Sequence, residues 1–383
     1  MRVVMVSKAL VVGEYQRKLE EMARLPGIEL AAIVPAGWQG RYDAAPLERV
    51  HTVGYELMIA PIAFNGQHHL HFYPTIGALL RQLHPDVLHM DEEPYNLATW
   101  HALRAGQAVG ARCLFFTWQN LLRRYPWPFR HFELANYRRS IHAIAGNRAA
   151  EEVLQTKGYT GPVTVIPQFG IDPDAFCPLQ DRHLMKTGAG SVGASQRRHD
   201  IVIGYAGRLV PEKGVDVLLR ACASLPFRDW SVRIMGDGPE RSHLAALADE
   251  LGIAEQISFL GRLPSAHAPG FYQTLDVLVL PSLSRPNWVE QFGRVLVEAM
   301  ACEIPVIGSD SGEIPATIGD AGLVFPEGDA LTLAKGITSL AEDSTLRTNL
   351  ARRGRARALA HFTHRQIAAE TVLVYHQMLN GRG

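Results

Sequence analysis

The sequence predicts an α/β protein built as two parallel-sheet domains facing each other across a cleft. Three observations predict it. Short β-branched runs alternate with longer segments of helical period, the pattern of repeated βαβ units. The strand runs are almost continuously apolar, as strands covered by helices on both faces must be. Near the middle of the 383 residues, positions 167–200 hold Pro167, Gly170, Pro173, Pro178, Gly188, Gly190 and Gly193 with no sustained apolar period. That is linker chemistry, and the length suits two domains.

In the first half, strands are expected at Val3–Val6, Ile28–Val34, Asp86–His89, Arg112–Phe116, Ile141–Ala145 and Val163–Ile166. Helices are expected at Glu14–Arg24, Pro74–Leu83, Tyr95–Val109 and Ala149–Lys157. In the second half, strands are expected at Ile201–Ala206, Ser231–Met235, Ile257–Phe259, Val277–Leu280, Pro305–Ile307 and Gly322–Phe325, and a last helix at about Thr363–Leu379. The domains are then residues 1–170, a linker over 171–198, and residues 199–360. A terminal helix over 361–383 either caps the second domain or crosses back to the first.

Composition narrows the function. The 38 Lys and Arg balance 38 Asp and Glu, which argues against a surface that coats nucleic acid. Cys113, Cys177, Cys222 and Cys302 stand singly, without the spacing of a zinc knuckle or a disulfide framework. A reducing cytoplasm is the simplest location. The N-terminus enters an apolar run at once, and no stretch approaches ~18 uninterrupted apolar residues, so neither a secretory leader nor a membrane span is expected.

Ligands of open parallel sheets bind beyond the carboxyl ends of the strands, and in the second half those ends carry the chemistry. Ile201–Ala206 runs into Gly207-Arg208-Leu209-Val210-Pro211-Glu212-Lys213-Gly214. A glycine there lets backbone approach a ligand, and Arg208 and Lys213 offer a fork and a point charge to a diphosphate. The next two strands end in Gly236-Asp237-Gly238 and in Gly261-Arg262-Leu263. After Pro281-Ser282 come Glu290 and Glu298, separated by seven residues, with a helix expected to start near Phe292. Its first amides can receive phosphate oxygens. Glu298 can accept from a ribose diol, and Glu290 can reach what the phosphate carries. Gly308-Ser309-Asp310-Ser311-Gly312-Glu313-Ile314 closes the series.

This ordered set resembles the nucleotide-sugar domain of retaining glycosyltransferases of the GT-B fold, glycosyltransferase family 4 (group 1), strongly over about residues 200–325 and only in architecture over the N-terminal half. The resemblance implies two Rossmann-like domains and a hexosyltransferase of class EC 2.4. It implies transfer of a sugar with retention from a nucleotide-diphosphate sugar, with UDP the first choice, to an acceptor hydroxyl in glycan, glycolipid or glycoconjugate synthesis. Arg208, Lys213 and Glu290 would be the catalytic set, the two cations neutralising the leaving diphosphate and Glu290 holding sugar hydroxyls. Gly13, Gly207, Gly236, Asp237, Phe292 and Gly293 would line the donor, Glu298 would hold the ribose, and Arg262 and Leu263 would flank the base. Cations and helix amides would replace a divalent ion, so no metal and no resident cofactor is implied.

The N-terminal half departs from the family pattern. A second histidine commonly follows the fourth strand, but here His89 is followed by Met90-Asp91-Glu92-Glu93. These acids suit sugar hydroxyls or a cationic acceptor, or hold one carboxyl with a raised pKa as a base. The competing reading is that they cap a helix starting at Pro94. Trp118, Gln119 and Asn120 suit sugar recognition by stacking and hydrogen bonds, or a buried indole and a turn. His68, His69 and His71 read as acceptor-loop or structural histidines rather than metal ligands, with His71 the candidate contact. Lys8 sits in the first loop, within reach of diphosphate or acceptor. Residues 123–139 place Arg123, Arg124, Arg130, Arg138 and Arg139 among Trp127, Phe129 and Phe132, which suits an ordinary solvated helix or peripheral contact with an anionic inner membrane face. Rival functions are a nucleotide-sugar epimerase or a phosphorylase on the same fold, and a non-catalytic nucleotide- or carbohydrate-binding protein.

Overall fold

The structure is a computed structural model that describes residues 1–40, 44–179 and 201–381. It divides into two compact units, Met1–Gly170 with Thr363–Gly383, and Ile171–Phe362. Of the segment expected as linker, residues 180–198 lie outside the described residues. Ile171 and Phe176 are buried in the core of the second unit.

The strands of the first unit are β1 (Arg2–Val6), β2 (Glu29–Val34), β3 (Gly37–Gln39), β4 (Ala44–Pro46), β5 (Glu56–Ile59), β6 (Val87–Met90), β7 (Arg112–Thr117), β8 (His142–Ala145) and β9 (Val163–Val165). Among the described residues, seven of them form one parallel sheet in the order β5-β2-β1-β6-β7-β8-β9. β3 and β4 pair as a separate antiparallel ribbon. The inner strands carry the continuous apolar runs seen in the sequence. Val3 and Met5 pack into one face's core, and Val4 and Val6 into the other's. The terminal helix, His364–Asn380, belongs to this unit and buries Ile367, Ala368, Val372, Tyr375 and Met378 against Val3, Met5 and Leu19.

The second unit has β10 (Ile201–Ala206), β11 (Trp230–Met235), β12 (Ile257–Gly261), β13 (Val277–Leu280), β14 (Val306–Ser309) and β15 (Leu323–Phe325). Among the described residues these form a parallel sheet in the order β12-β11-β10-β13-β14-β15. Its helices bury one apolar core, with Val217, Leu218, Leu296, Met300, Leu333 and Ile337 among its members. In both sheets the strand order reverses beside the first strand, between β1 and β6 and between β10 and β13.

Four expectations need correction. β5 and the β3–β4 ribbon were not expected: β5 is a half-exposed edge strand of only four residues, and residues 37–46 carry no apolar alternation. The first helix proper is Arg17–Ala23, preceded by a tighter 3₁₀ turn over Gly13–Gln16. The helix expected at Pro94 begins at Leu97, because Asp91, Glu92 and Glu93 turn their carboxylates to groups on other segments rather than to the amides of this helix. The helix expected near Phe292 begins at Arg294, because Gly293 is left-handed at φ +75°.

The loops after β10 and β11 meet backbone to backbone. Gly207 N donates to Met235 O at 2.9 Å, and Leu209 N donates to Asp237 O at 3.0 Å. Gly236 sits at φ +143°, and a Cβ there would lie 1.8 Å from Gly207 O. Gly236→Ala therefore combines forbidden backbone with a collision, and is expected to cost about 2–4 kcal/mol. Gly252→Ala, at φ +68° with nothing near the new methyl, should cost only about 1 kcal/mol. Urea denaturation of both variants measures the difference, and equal costs would disprove the contact.

Candidate active site

In the second unit the reversal between β10 and β13 brings two distant loops together. The Lys213 Nζ lies 2.5 Å from Glu290 Oε2. Ser282 Oγ donates to the same oxygen at 2.9 Å. Both members of the ion pair are largely covered, with side-chain exposures of 15% and 10%. The Trp288 ring lies beneath the ammonium, 4.8 Å from nitrogen to centroid. Glu290 is fixed through its main chain as well: its carbonyl accepts from Glu313 N at 3.1 Å.

Arg208 is exposed in the turn after Gly207, and its carbonyl accepts from Tyr205 Oη at 2.9 Å. Asp237 is exposed beside it, with its carboxylate turned back to Gly238 N at 2.9 Å. Arg262 is exposed at the end of β12, while Leu263 is half-buried against the core. The Phe292 carbonyl accepts from Thr317 Oγ1 at 2.6 Å, and Gly293 is the residue before the helix Arg294–Ala301. One turn in, Glu298 accepts from Tyr272 Oη at 2.6 Å and from Arg294 Nε at 2.7 Å. Burial, with the Glu298 carboxylate beside it, pushes the Tyr272 hydroxyl well above its ordinary pKa, so it stays a donor. Gly207, Arg208, Lys213, Gly236, Asp237, Glu290, Phe292, Gly293 and Glu298 all stand at strand carboxyl ends or on the helix that follows. Tyr272, which orients Glu298, was not singled out by the sequence. It closes a short helix with no motif, and only the fold brings it to Glu298.

The first unit repeats the arrangement at its own reversal, between β1 and β6. Lys8 Nζ lies 2.7 Å from Glu92 Oε2 and 5.4 Å from the Trp38 ring. Glu92 also meets His71 Nε2 at 2.7 Å, with the His71 side chain fully buried. Burial alone would raise the Glu92 pKa, but His71 and Lys8 outweigh it and hold the carboxyl well below the usual range. Asp91 turns the opposite way, accepting from Gln168 Nε2 at 3.0 Å and lying 3.9 Å from Lys18 Nζ. Burial, opposed by Lys18, raises the Asp91 pKa. Glu93 accepts from Thr117 Oγ1 at 2.6 Å and Trp118 N at 2.8 Å, and burial pushes its carboxyl up to about 7 despite those bonds. The three acids thus have three separate fates. Only Glu93 combines partial exposure with a pKa near neutrality.

Trp118 turns its ring into the unit, against Phe116 and over Gly146, where a Cβ would lie 2.1 Å from the indole. The residue stays partly exposed, and its indole nitrogen donates to Gln168 Oε1 at 2.8 Å. Gln119 is buried, its Oε1 accepting from Lys157 Nζ at 3.2 Å, and Asn120 is half-buried. Gly13 is buried and donates to Glu48 Oε2 at 2.6 Å. The three neighbouring histidines take different partners: His68 lies beside Trp38, and His69 among Tyr95, Tyr125 and Phe129. A cavity of about 310 Å³ is lined by Arg124, Arg130, Lys157 and Glu133, with Leu122 and Leu134. Of the lining, Leu122 is 61% exposed, and Trp127, on the segment between Arg124 and Arg130, is 83% exposed. Among the described residues no helix is long and apolar enough to cross a membrane.

Comparison with known proteins bears on the family and the fold. Residues 194–357 match the family model described as "Glycosyl transferases group 1". A GDP-mannose-dependent alpha-(1-6)-phosphatidylinositol monomannoside mannosyltransferase of Mycolicibacterium smegmatis is 31% identical over 65% of this chain and 61% of its own. A D-inositol 3-phosphate glycosyltransferase of Corynebacterium jeikeium is 35% identical over 49% of this chain and 45% of its own. The chain thus spans about half the length of these relatives. The structure of Anabaena Alr3699/HepE in complex with UDP superposes with a TM-score of 0.72 at 18% identity, over 98% of this chain and 100% of that one. The fold is the GT-B fold that the motifs implied.

The Glu93 carboxyl yields a test of this electrostatic reading. With its folded pKa raised from the ordinary carboxyl value to about 7, the folded chain keeps a proton that the unfolded chain has already lost. Stability therefore falls as pH rises through that interval. Glu93→Gln removes the titration, and Thr117 Oγ1 can turn to accept from the amide. The variant is expected to gain about 1–2 kcal/mol over the parent at pH 8 and nothing at pH 4. Denaturation at both pH values measures it; a pH-independent difference would refute the raised pKa.

Proposed function

From a chain whose residues 194–357 are a group 1 glycosyl transferase domain, we propose an enzyme that moves a hexosyl group from a nucleoside-diphosphate sugar to an acceptor hydroxyl, with retention and without a metal. The observation that carries the proposal is the Lys213–Glu290 pair at the β10–β13 reversal, flanked by glycine-ended strands and a helix N-terminus. Gly207 and Gly236 let backbone approach the donor, whereas the Gly13 amide is taken by Glu48 within the first unit. Arg208 and Lys213 receive the diphosphate and stabilise it as it leaves. The amides at Phe292 and Gly293 contribute at the start of the helix. Glu290 holds sugar hydroxyls, Glu298, oriented by Tyr272, holds the ribose, and Asp237, Arg262 and Leu263 border the nucleoside. One relative is GDP-mannose-dependent and one structural neighbour was solved in complex with UDP, so both bases are candidates here.

The acceptor is assigned to the first unit, at the partly exposed Glu93 and Asn120, with Glu93 the carboxyl suited to take a proton and the buried His71, Glu92 and Gln119 holding the site's shape. Asp91 and Trp118 support these residues from within. The cavity lined by Arg124, Arg130 and Lys157 suits an acceptor bearing phosphate, as the names of both curated relatives contain. Exposed Trp127 and Leu122 beside those cations suit peripheral contact with an anionic bilayer at the cytoplasmic face, where a lipid-borne acceptor would lie.

Lys213→Ala is expected to lower kcat/KM for sugar transfer by about 10²–10³-fold in a chain that still folds, since it removes one charge at the developing diphosphate. Glu298→Gln, which keeps an acceptor for Tyr272, should raise the donor KM about tenfold with kcat nearly unchanged. A thermal-denaturation screen against GDP-mannose and UDP-sugars identifies the donor. A ligand at about 100 times its Kd stabilises by about 2.7 kcal/mol. Full activity of Lys213→Ala with the donor so found would overturn the assignment.

A further inference from the structure

The reading above uses Lys213 and Glu290 but leaves Trp288, which stands between their loops, without a role. The segment that carries it is built with care. Leu283 N donates to Glu212 O at 2.8 Å, the residue just before Lys213. Ser284 donates to Glu327 through both its amide and its hydroxyl, each at 2.5 Å. Arg285 and Trp288 then exchange main-chain bonds, at 2.7 Å from Arg285 N and 3.1 Å from Trp288 N. The result is a tight turn with its base fastened on two sides, and it presents the indole to the Lys213 ammonium, 4.8 Å from nitrogen to centroid.

A lysine ammonium has three donors on a flexible stem. One is spent on Glu290 Oε2. An aromatic face beneath the charge attracts it without taking a hydrogen-bond donor, so it narrows the positions of the nitrogen while leaving N–H groups for an incoming anion. The Glu290 carboxylate alone would do the opposite, neutralising the charge and drawing it away from phosphate. The first unit carries the same association independently, in Lys8, Glu92 and Trp38 at the β1–β6 reversal. We propose that Trp288 is a positioning residue that holds the Lys213 ammonium ready for the donor's diphosphate through its ring face. This rests on the reading of Lys213 as a donor cation.

The test is calorimetric binding of GDP and of UDP to the full chain, following whichever the parent binds more tightly. Trp288→Phe keeps a ring face and should stay within about threefold of the parent. Trp288→Leu keeps bulk without the face and should lose about five- to twentyfold. The same Trp288→Leu change made in a Lys213→Met background should alter affinity less than twofold, because the indole acts through the ammonium. A Trp288→Leu variant that binds like the parent overturns the proposal. So does a Phe variant as weak as the Leu variant, or an equal loss in the Lys213→Met background, since a merely structural loop residue would give that result. A parent chain that binds neither GDP nor UDP overturns the reading of Lys213 itself, and this proposal with it.

Discussion

Each sheet reverses its strand order once, beside its first strand, and the chemistry of both units hangs on that reversal. Parallel strands deliver all their carboxyl ends to one edge. Where the order reverses, the two following loops diverge and leave room between them. In each unit that room is spanned by a lysine from the loop after the first strand and a glutamate from the loop after its new neighbour, Lys8 to Glu92 and Lys213 to Glu290. Desolvating such a pair costs about as much as its attraction returns, so the pairs add little net stability. Their effect is to fix two loops, far apart in sequence, at a set distance. The two pairs differ in access. Glu92 is sealed, at 1% side-chain exposure, by His71 and Tyr73, whereas both ends of the Lys213–Glu290 pair keep some exposure.

Beneath the Lys8–Glu92 pair, the first unit carries an unusual quantity of buried charge and polarity. Lys18 is 2% exposed, within 3.9 Å of Asp91 and donating to Gln168 O at 3.0 Å. Burial lowers its pKa while Asp91 opposes the fall. His89, buried in β6, meets Tyr375 Oη at 2.7 Å, and burial lowers its pKa well below the ordinary value. A neutral imidazole bonded to a neutral phenol costs less than a buried charge would, while the second ring nitrogen, His89 Nε2, stands 3.9 Å from Asp91 Oδ1 without a hydrogen bond. Tyr375 lies on the terminal helix, and Arg112 reaches the carbonyls of Met378 and Gly381 at its end. The C-terminal segment is therefore part of the first unit's polar interior as well as its apolar core. Deleting it would strand the His89 and Arg112 side chains together with the apolar face it covers.

What the sequence revealed and what it hid separate along physical lines. Central strands were legible because burial on both faces forces unbroken apolar runs: Ile201–Ala206 and Val277–Leu280 were read to the residue. The edge strand Glu56–Ile59 was not, because one exposed side and four residues leave no period to detect. Loop chemistry was legible where glycine is obligatory, as at Gly207 and Gly236, since no other residue tolerates the approach. The helix start after Glu290 was misread by two residues, because Gly293 looks like a helix-compatible small residue until its backbone is known. The acidic triplet was recognised as special, but its division of labour depends on Lys18, Lys8, His71 and Thr117. These partners lie on other segments, and sequence offers no hint of the pairing.

The zero net charge of the chain is a sum of strongly unlike surroundings, and each is tied to a specific device. The edge of the second sheet exposes Arg208 and largely covers Lys213 beside Glu290. The first unit buries Glu92 as a fixed anion and keeps Glu93 near neutrality, although the two are adjacent in sequence. The difference is supplied by partners alone. Glu92 meets Lys8 and His71, which favour its charged form, while Glu93 meets a hydroxyl and an amide, which offset only part of its burial. One carboxylate thus serves as a permanent counter-charge and the next can exchange a proton near neutral pH. Burial raises the Glu93 carboxyl, and its two hydrogen bonds offset only part of that rise. The neighbouring lysine, histidine and threonine decide which one holds the proton.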